Sequence, residues 1–224
     1  MARPVTTVQT ATASPVPAAP QGRCLVLHDR ETSGNCYKVR LLLSFLGLPY
    51  QRIAVPLQSG RNAVDAAYLR INPRGQVPTL TDGDVVLWGS TAILCYLARR
   101  YDESREWLPV DAAAMARVCQ WLELAQNEIR EGLFLARAVQ RFGYDGDLSC
   151  AQAAGQRALA VLEGQLERGD WLAGDHATLA DVACFPYVAL APEGGMALAD
   201  YPAIGPWLAR FRHLNRFVAM PGVA

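Results

Sequence analysis

Ser33 stands in a turn between a predicted strand and a predicted helix, where a side-chain hydroxyl can act on a bound ligand. The turn reads Ser33-Gly34-Asn35-Cys36. A hydroxyl there can donate a hydrogen bond to a thiolate, which matters because a free thiol has a pKa of about 8.5. Each unit of depression needs about 1.4 kcal/mol of thiolate stabilisation, and a hydroxyl donor plus the field of a helix N-terminus supplies energy of that order. The alternative is that Ser33 only caps the helix, since serine is a favoured N-cap residue.

Asn35 and Cys36 compete with Ser33 for this role. Asn35 can donate from its side-chain amide, and a cysteine in the first turn of a helix can have a lowered pKa. Position 33 holds a serine rather than a second cysteine, so dithiol chemistry is excluded in this turn and only a mixed disulfide at Cys36 remains. We interpret Cys36 as a packing residue, since free cysteine is among the most buried residue types.

The cysteines and histidines show no pattern typical of a metal site. None of the six cysteines forms a Cys-x-x-Cys pair, and no Cys/His group has zinc-ligand spacing. We therefore expect no metal, structural histidines, and free buried thiols in a reducing cytosol. These residues are Cys24, Cys36, Cys95, Cys119, Cys150, Cys184, His28, His176 and His213.

A second informative stretch is the 28 residues Ala66–Ile93, which contain several turn and helix-cap patterns. Asp-Gly between two apolar runs predicts a hairpin, and a serine before an apolar helical pattern predicts an N-cap. A serine at such a helix start offers a hydroxyl and backbone N–H groups to an anion. The predicted elements are a helix ending at Asn72-Pro73-Arg74-Gly75, strands Thr79–Thr81 and Val85–Leu87 joined by Asp82-Gly83, and a helix Thr91–Tyr101 capped by Ser90.

The order of elements in the first half predicts a mixed sheet with helices on both faces. Alternating apolar runs and helical periodicity give the sequence strand, helix, strand, helix, strand, strand, helix. Besides the elements above, these are a strand Cys24–His28, a helix Tyr37–Leu46, a strand Tyr50–Val55 and a helix Asp65–Ile71.

Almost everything after a charged, proline-containing linker at Tyr101–Asp111 has helical periodicity. Thr178 and Asp181 have the spacing of a capping box, in which the hydroxyl and the carboxylate satisfy backbone N–H groups reciprocally. The predicted helices are Ala112–Phe142, continuous or broken, Ser149–Leu166, one starting at Thr178, and Tyr201–Leu214. Residues 1–22 are rich in Thr, Ala and Pro without periodicity, which predicts a disordered tail.

The charge pattern excludes several classes of partner. Twenty-one Lys and Arg balance 21 Asp and Glu, so the formal net charge is zero. The basic residues do not cluster, so neither a nucleic acid nor an anionic membrane is an expected partner. The chain has no apolar run long enough to predict a transmembrane helix.

Two motifs resemble those of the cytosolic glutathione S-transferases, most closely the bacterial serine-type members of the theta, delta and nu kind. The first is N-P-x-G-x-V-P-x-L, a hairpin and S-x-A-I-x-x-Y-L-A; the second is L-x-G-x-x-x-T-x-A-D. The resemblance extends from about Cys24 to Val223. It implies a thioredoxin-like glutathione-binding domain with a mixed four-stranded sheet at 23–101, a linker at 102–111, and an all-helical domain at 112–224.

The resemblance also implies a role for several residues. Pro78 would follow a cis peptide bond, and Val77 would pair its backbone with the cysteine moiety of glutathione. Ser33 would stabilise the thiolate, and Ser90 would anchor the γ-glutamyl carboxylate. The acceptor substrate would lie between the domains, beside the Ala112–Phe142 helix.

Gly89 departs from the family pattern, in which Glu, Asp or Gln precedes the serine. Gly89 offers no side chain to the γ-glutamyl ammonium. Loss of a charge-assisted hydrogen bond costs roughly 1.5–3 kcal/mol, or about ten- to a hundredfold in affinity. Gln76 and Arg61 are placed to reach the glycyl carboxylate, although both also fit solvated loop positions. Arg130, Phe134 and Tyr144 are candidate contacts of the acceptor.

These observations together predict a cytoplasmic enzyme that activates the thiol of glutathione for attack on small electrophiles, as in detoxification. Glutathione would be a co-substrate, and family members suggest a homodimer. One alternative is a non-catalytic interaction or dimerisation module with this fold, which Gly89 favours. The other is a glutathione-dependent reductase or peroxidase that uses Cys36.

Overall fold

The computed structural model describes residues 24–56 and 65–223, and its first half is built on a four-stranded sheet. The predicted tail at 1–22 and the candidate Arg61 lie outside the described residues. The elements of this half are β1 (Leu25–Asp29), α1 (Gly34–Phe45), β2 (Tyr50–Ala54), α2 (Ala66–Ile71), β3 (Thr79–Asp82), β4 (Val85–Trp88) and α3 (Ser90–Tyr101).

The sheet has the order β2-β1-β3-β4 and mixes parallel and antiparallel pairs. Strand β1 runs parallel to β2 and antiparallel to β3, while β3 and β4 form the predicted hairpin. Leu25 and Leu27 of β1 belong to the main hydrophobic core, which α1 and α3 also enter. His28, which follows Leu27 and faces the other side of the sheet, contacts Tyr68 of α2, with 5.5 Å between ring centroids. Because side chains alternate along a strand, helices cover both faces of the sheet as predicted.

The second half is helical, and its first predicted helix is interrupted. Helix α4 (Ala112–Gln126) ends where Asn127 leaves helical geometry, at φ −104° and ψ −90°. A π-helical turn, Arg130–Phe134, then leads into α5 (Leu135–Phe142). The remaining elements are α6 (Leu148–Leu166), α7 (Leu179–Ala189), a 3₁₀ turn (Ala191–Gly194) and α8 (Ile204–Arg212).

Helix α7 begins at the predicted capping box and is buried along its whole length. The Asp181 carboxylate accepts the backbone N–H of Thr178 at 2.9 Å, the backbone N–H of Leu172 at 3.2 Å and the indole N–H of Trp207 at 2.9 Å. Complete burial of Asp181 raises its pKa, although these three bonds oppose the shift. The box therefore fixes the start of α7 and ties it to α8 and to the preceding loop.

A single hydrophobic core continues from the sheet half into the helical half. Helix α7 contacts α1, α3 and α4. The Tyr37 hydroxyl of α1 donates to the Val218 carbonyl at 2.6 Å, and the rings of Phe45 and Trp107 stack at 5.0 Å. Since the two halves share apolar contacts, the cleft between them has well-packed walls.

The π-helical turn and α6 touch backbone to backbone. A Cβ on Gly132 would lie 2.3 Å from the Gly155 nitrogen, which leaves no room for a side chain. The π-helical turn is thus held directly against α6. This contact fixes how far the side chains of the turn reach into the cleft.

The prediction of buried thiols is correct for Cys36 and Cys184 but wrong for three other cysteines. Cys24 immediately precedes β1, Cys119 lies on α4 and Cys150 on α6, and all three are exposed. Each of the three lies on the solvent-facing side of a largely apolar segment, and the composition of a segment does not show which of its sides faces solvent. Within the described ranges, none of the helices has the length and apolar content needed to cross a lipid bilayer.

Candidate active site

Two adjoining cavities form a cleft between the N-terminal ends of α1 and α3 and the helical half. The larger has a volume of about 340 Å³ and the smaller of about 50 Å³. Asn35, Gln76, Val77 and Arg130 line both, so the two are continuous. The structure thus brings together all the predicted site residues that it describes.

Ser33 is the N-cap of α1 and lines the larger cavity. Its backbone is extended, at φ −80° and ψ 119°, and its hydroxyl oxygen accepts the backbone N–H of Cys36 at 3.3 Å. A capping hydroxyl uses an oxygen lone pair, so its own proton is still available to a ligand. Capping and donation to a thiolate are therefore compatible rather than alternative roles.

Cys36 lies under this turn and lines neither cavity. It is fully buried, and its sulfur accepts the backbone N–H of Arg30 at 3.5 Å. Burial, and next the negative charge of Asp29, raise the pKa of Cys36 to about 12. A thiol in this environment stays protonated near neutral pH, which agrees with its interpretation as a packing residue.

Gly89, and not Ser90, is the N-cap of α3, so the predicted cap is wrong by one residue. The chain enters the helix with Gly89 at φ +89° and ψ 123°, a conformation that glycine adopts without strain and other residues rarely reach. Ser90 is the first helical residue, is buried, and makes no capping bond. Its hydroxyl instead donates to the Asn35 side-chain oxygen at 3.3 Å, which links the starts of α3 and α1.

The peptide bond between Val77 and Pro78 is cis, as the family resemblance implies. Two buried side chains hold the approach to this bond. The Tyr68 hydroxyl and the Asn72 amide each donate to the Gln76 carbonyl at 2.6 Å. Val77 is thereby placed at the wall of both cavities, while the Gln76 side chain is exposed at their edge.

The larger cavity has an aromatic wall contributed by the helical half. Arg130, Phe134 and Tyr144, the candidate contacts of the acceptor, all line it. The Phe134 ring packs edge-on against Tyr144 and Tyr187, with centroids 6.4 and 5.5 Å apart. Arg130 forms an exposed ion pair with Glu131. This wall suits an apolar, flat ligand beside the α1 N-terminus.

Tyr187 of α7 is a site residue that the sequence analysis missed. Its ring packs over the start of α1, where a Cβ on Gly34 would lie 2.7 Å from it. The backbone N–H of Asn35 donates to the Tyr187 hydroxyl, and burial raises the pKa of this phenol. A phenolic proton is therefore held close to Ser33. Only an amphipathic pattern in α7 could have shown that Tyr187 faces the cleft, and the sequence of α7 is apolar on all sides.

Arg137 also escaped the sequence analysis, although it connects the two walls of the cleft. It is almost fully buried, and its Nε donates to the Glu193 carboxylate at 2.7 Å. Its guanidinium also donates to the Thr32 carbonyl at 3.0 Å, one residue before Ser33. An arginine within an amphipathic pattern looks solvent-exposed in the sequence, so it gave no signal. Arg137 thereby positions the turn that carries Ser33.

A third cavity lies outside the cleft, between α1, β2 and the C-terminal segment. Its volume of about 580 Å³ exceeds that of either cavity of the cleft. It shares no lining residue with the cleft and contains none of the predicted site residues. Size alone therefore does not locate the chemistry. No group of three or more His, Cys, Asp or Glu within 24–56 and 65–223 is arranged to hold a metal ion.

Comparison with known sequences identifies the family of this chain. The sequence model described as "Glutathione S-transferase, N-terminal domain" matches residues 27–105, and "Glutathione S-transferase, C-terminal domain" matches 136–215. The chain belongs to the glutathione S-transferase family. Its two halves are accordingly a thioredoxin-like domain with a mixed four-stranded sheet and a helical C-terminal domain, and its function is glutathione S-transferase-like.

Individual relatives of this glutathione S-transferase agree over most of its length. Glutathione S-transferase GstB of Escherichia coli is 32% identical over 191 residues, which cover 82% of this chain and 90% of that protein. The disulfide-bond oxidoreductase YfcG of the same organism is 31% identical over 194 residues, covering 80% and 86%. A crystal structure of a Pseudomonas fluorescens glutathione S-transferase superposes with a TM-score of 0.81 at 34% identity, covering 88% of this chain and 98% of that one.

Proposed function

We propose that this chain binds glutathione, stabilises its thiolate at Ser33, and transfers it to a small electrophile held in the larger cavity. The observation that carries the proposal is the Ser33 hydroxyl at the start of α1, which opens on a cavity with an aromatic wall. A thiolate there would accept a hydrogen bond from the Ser33 hydroxyl and would lie at the partial positive charge of the helix N-terminus.

Binding of the tripeptide would use both helix starts. Ser90 and the backbone N–H groups of α3 would hold the γ-glutamyl carboxylate, because a helix N-terminus favours an anion. The Ser90 hydroxyl, which here donates to the Asn35 side-chain oxygen, would turn to the carboxylate, and Val77 would pair with the peptide backbone. The exposed Gln76 side chain would contact the glycyl carboxylate, and Arg61, outside the described residues, is proposed for the same end.

The chemical step needs only the thiolate and the acceptor. The thiol releases its proton to solvent, a sulfur lone pair forms a carbon–sulfur bond with the acceptor, and the bond to the leaving group breaks so that this group departs with the electron pair. Glutathione is consumed as a co-substrate, and no metal takes part in this step. The larger cavity, of about 340 Å³, would hold the acceptor against Phe134 and Tyr144.

Conjugation of glutathione to 1-chloro-2,4-dinitrobenzene tests this function. We expect saturable activity of the wild type, and we expect Cys36→Ser to keep it because the buried thiol lines neither cavity. An inactive wild type that still binds glutathione in calorimetry would favour the interaction-module alternative. Loss of conjugation in Cys36→Ser alone, with the fold intact by circular dichroism, would contradict the role assigned to Ser33.

Disulfide reduction by glutathione is the second candidate function, and the 31% identity to a disulfide-bond oxidoreductase favours it. The fully buried Cys36 does not, so such an activity would use the bound thiolate and not a protein thiol. Assay of wild type and Cys36→Ser with glutathione and 2-hydroxyethyl disulfide separates the two routes. Equal rates would support the bound thiolate as the reductant.

Homodimerisation and a cytoplasmic location complete the proposal. Val86 and Trp88 lie on one face of β4, at the edge of the sheet, and are about 40% exposed. Exposed apolar side chains on an edge strand favour an interface between two copies. Sedimentation equilibrium would give twice the chain mass of 24.4 kDa for a dimer. The six free cysteines suit a reducing compartment.

A further inference from the structure

The start of α1 has N–H groups that the helix itself cannot satisfy, and two side chains from different elements accept one each. The Ser33 hydroxyl oxygen accepts the N–H of Cys36 at 3.3 Å. The Tyr187 hydroxyl oxygen, on α7, accepts the N–H of Asn35. The N–H of Gly34 has no partner among the described residues. Both hydroxyl groups therefore lie at the same helix end, which faces the larger cavity.

Close packing holds the ring of Tyr187 on this turn. A Cβ on Gly34 would lie 2.7 Å from both Cε1 and Cζ of the ring, so only glycine leaves room for the ring at this position. Cζ is the carbon that bears the hydroxyl, and the hydroxyl oxygen thus lies one bond from this contact. Phe134 packs edge-on against the same ring, with centroids 5.5 Å apart. The phenol is therefore held by both the turn and the aromatic wall of the cavity.

The hydroxyl proton of Tyr187 has no acceptor in the described part of the chain. A phenolic oxygen can accept one hydrogen bond and donate another. The oxygen accepts from Asn35, and none of the described residues accepts the proton. Tyr187 lines the larger cavity together with Ser33, Gly34 and Asn35. The proton is thus available to a ligand that occupies the cavity at the start of α1.

The surroundings of Tyr187 keep the phenol protonated near neutral pH. Burial, as the largest cause, raises the pKa of the phenol, so the hydroxyl acts as a donor and not as a base. The charged and titratable groups near it are Lys38 and Cys36 of α1, Arg137 of α5 and Tyr144. Of these, Arg137 is neutralised by its ion pair with a carboxylate.

The buried Lys38 makes this phenol a stronger donor. Its amine lies 5.2 Å from the Tyr187 ring centroid and has no hydrogen-bond partner among the described residues. Burial lowers the pKa of the amine to about 8, so it is still mostly charged at pH 7. A positive charge beside a phenol stabilises the negative charge that the oxygen gains as it donates.

We propose that Tyr187 is a second catalytic residue, whose hydroxyl donates a hydrogen bond to the thiolate beside that of Ser33. This inference rests on the proposed function, because it concerns the thiolate that the cleft would bind. Hydrogen bonds to an anion are stronger than those between neutral groups, so each of the two donors lowers the pKa of the bound thiol. Thiol activation is then shared between the sheet half, through Ser33, and the helical half, through Tyr187.

Tyr187→Phe tests this role, because it removes the hydroxyl and keeps the ring that packs on Gly34. The readouts are the pKa of bound glutathione, from the ultraviolet absorbance of its thiolate, and kcat/KM for conjugation to 1-chloro-2,4-dinitrobenzene across pH. We expect the thiol pKa to rise by about one unit. Because one unit is a tenfold change in the thiolate fraction, kcat/KM should fall about tenfold below this pKa and approach the wild-type value above it. An unchanged thiol pKa, or a loss that is equal at every pH, would overturn the inference.

Tyr37→Phe is the matched control. Tyr37 is a fully buried phenol of α1 that lines neither cavity of the cleft, and its hydroxyl donates to the Val218 carbonyl at 2.6 Å. We expect this variant to lose stability and to keep the wild-type thiol pKa. An equal shift in Tyr37→Phe and Tyr187→Phe would trace the effect to the loss of any buried hydroxyl and contradict the inference.

A double variant separates direct donation from positioning of Ser33. If both hydroxyl groups act on the sulfur, Ser33→Ala combined with Tyr187→Phe should raise the thiol pKa by more than either change alone. A double variant equal to Ser33→Ala would mean that Tyr187 acts only through Ser33, against the inference.

Failure of this inference differs from failure of the proposed function. A wild type that conjugates glutathione but does not respond to Tyr187→Phe would reject the inference alone. A wild type that neither binds nor conjugates glutathione would reject both.

Discussion

The starts of α1 and α3 face the same cleft, yet they are built in opposite ways. Helix α1 begins at Ser33, whose extended backbone and hydroxyl satisfy one of its N-terminal N–H groups. Helix α3, of the same length of 12 residues, begins at Gly89 with positive φ and no side-chain cap. At the first start one N–H group is capped by the Ser33 side chain, whose hydroxyl proton stays available, whereas the second start has no side-chain cap for its N–H groups.

The two helices also differ in what they bury one turn further on. Five residues after each N-cap stand Lys38 in α1 and Leu94 in α3, and both are almost fully buried. The Lys38 amine has no hydrogen-bond partner among the described residues and lies 5.2 Å from the Tyr187 ring centroid. Helix α1, for which we propose the reactive role, thus buries a cation without a hydrogen-bond partner among the described residues, whereas α3, for which we propose the binding role, buries a hydrocarbon side chain at the same position.

Replacement of the buried cation should give the largest effect. Burial lowers the pKa of Lys38 to about 8, so the fold disfavours the charged amine. At neutral pH the amine is charged in both states, and the folded state bears a penalty of about 3 kcal/mol. We expect Lys38→Met to raise the free energy of unfolding by about this amount at pH 7, measured by urea denaturation.

The pH dependence gives the control for Lys38→Met. The penalty shrinks as pH rises from about 8 to the unfolded value near 10.4, because the amine is then neutral in both states. Wild-type stability should therefore approach that of the variant across this window. A stability difference that stays constant from pH 7 to 10.5 would show that packing, not charge, is responsible.

Removal of the Ser33 hydroxyl tests the reactive helix start. A hydrogen bond to a charged group is worth roughly 1.5–3 kcal/mol. We expect Ser33→Ala to lower kcat/KM for conjugation about ten- to a hundredfold and to raise the apparent pKa of the bound thiol by about one to two units. Ser33→Thr, which keeps the hydroxyl, is the matched control. An unchanged pH profile in Ser33→Ala would remove Ser33 from catalysis.

The corresponding change at the binding helix should act on affinity instead of rate. We expect Ser90→Ala to weaken thiol binding about tenfold, because the Ser90 hydroxyl would turn from Asn35 to donate to the bound carboxylate, while kcat changes less than about threefold. Titration calorimetry and steady-state kinetics measure the two effects. If Ser90→Ala lowered kcat and left the affinity intact, the division of labour between the two helices would be wrong.

The smallest effect concerns the stability of the two helix starts. Ser33→Ala removes an N-cap and should lower the free energy of unfolding by about 1 kcal/mol. Ser90→Ala removes only its 3.3 Å bond to Asn35 and should cost about 0.5 kcal/mol. Urea denaturation of both variants in one buffer makes the comparison. Equal losses would mean that Ser90 contributes to the helix start as much as a cap does.

Much of the fold could be predicted because periodicity and turn chemistry act locally. The strands and helices up to α3, the hairpin at Asp82-Gly83 and the capping box at Thr178 follow from patterns within a few residues. The periodicity over Ala112–Phe142 fits a continuous helix and a broken one equally well. The π-helical turn that follows the break packs against α6 where Gly132 meets Gly155, and these two residues are 23 positions apart and carry no periodic signal.

The candidate site could be predicted less completely than the fold, because it depends on which helix faces pack together and on the backbone conformation of one glycine. Ser33 and Val77 were found because each belongs to a short motif. The α3 start was misplaced by one residue, because the sequence does not show that Gly89 adopts positive φ. Tyr187 and Arg137 were missed because only the packing of α7 and α5 against α1 reveals that they face the cleft. The roles proposed for the site residues, and the domain boundaries at 101 and 111, stay predictions.

The π-helical turn Arg130–Phe134 makes the acceptor wall sensitive to register. Successive residues of an α-helix are rotated by about 100° around the axis, so one extra residue in a turn rotates everything downstream by that angle relative to what precedes it. Deletion of one residue here would turn the α5 side chains, including Arg137, away from the cleft while α4 stayed in place. Homologous chains can thus present different residues to an acceptor through a single-residue length change, without substitution of any lining side chain.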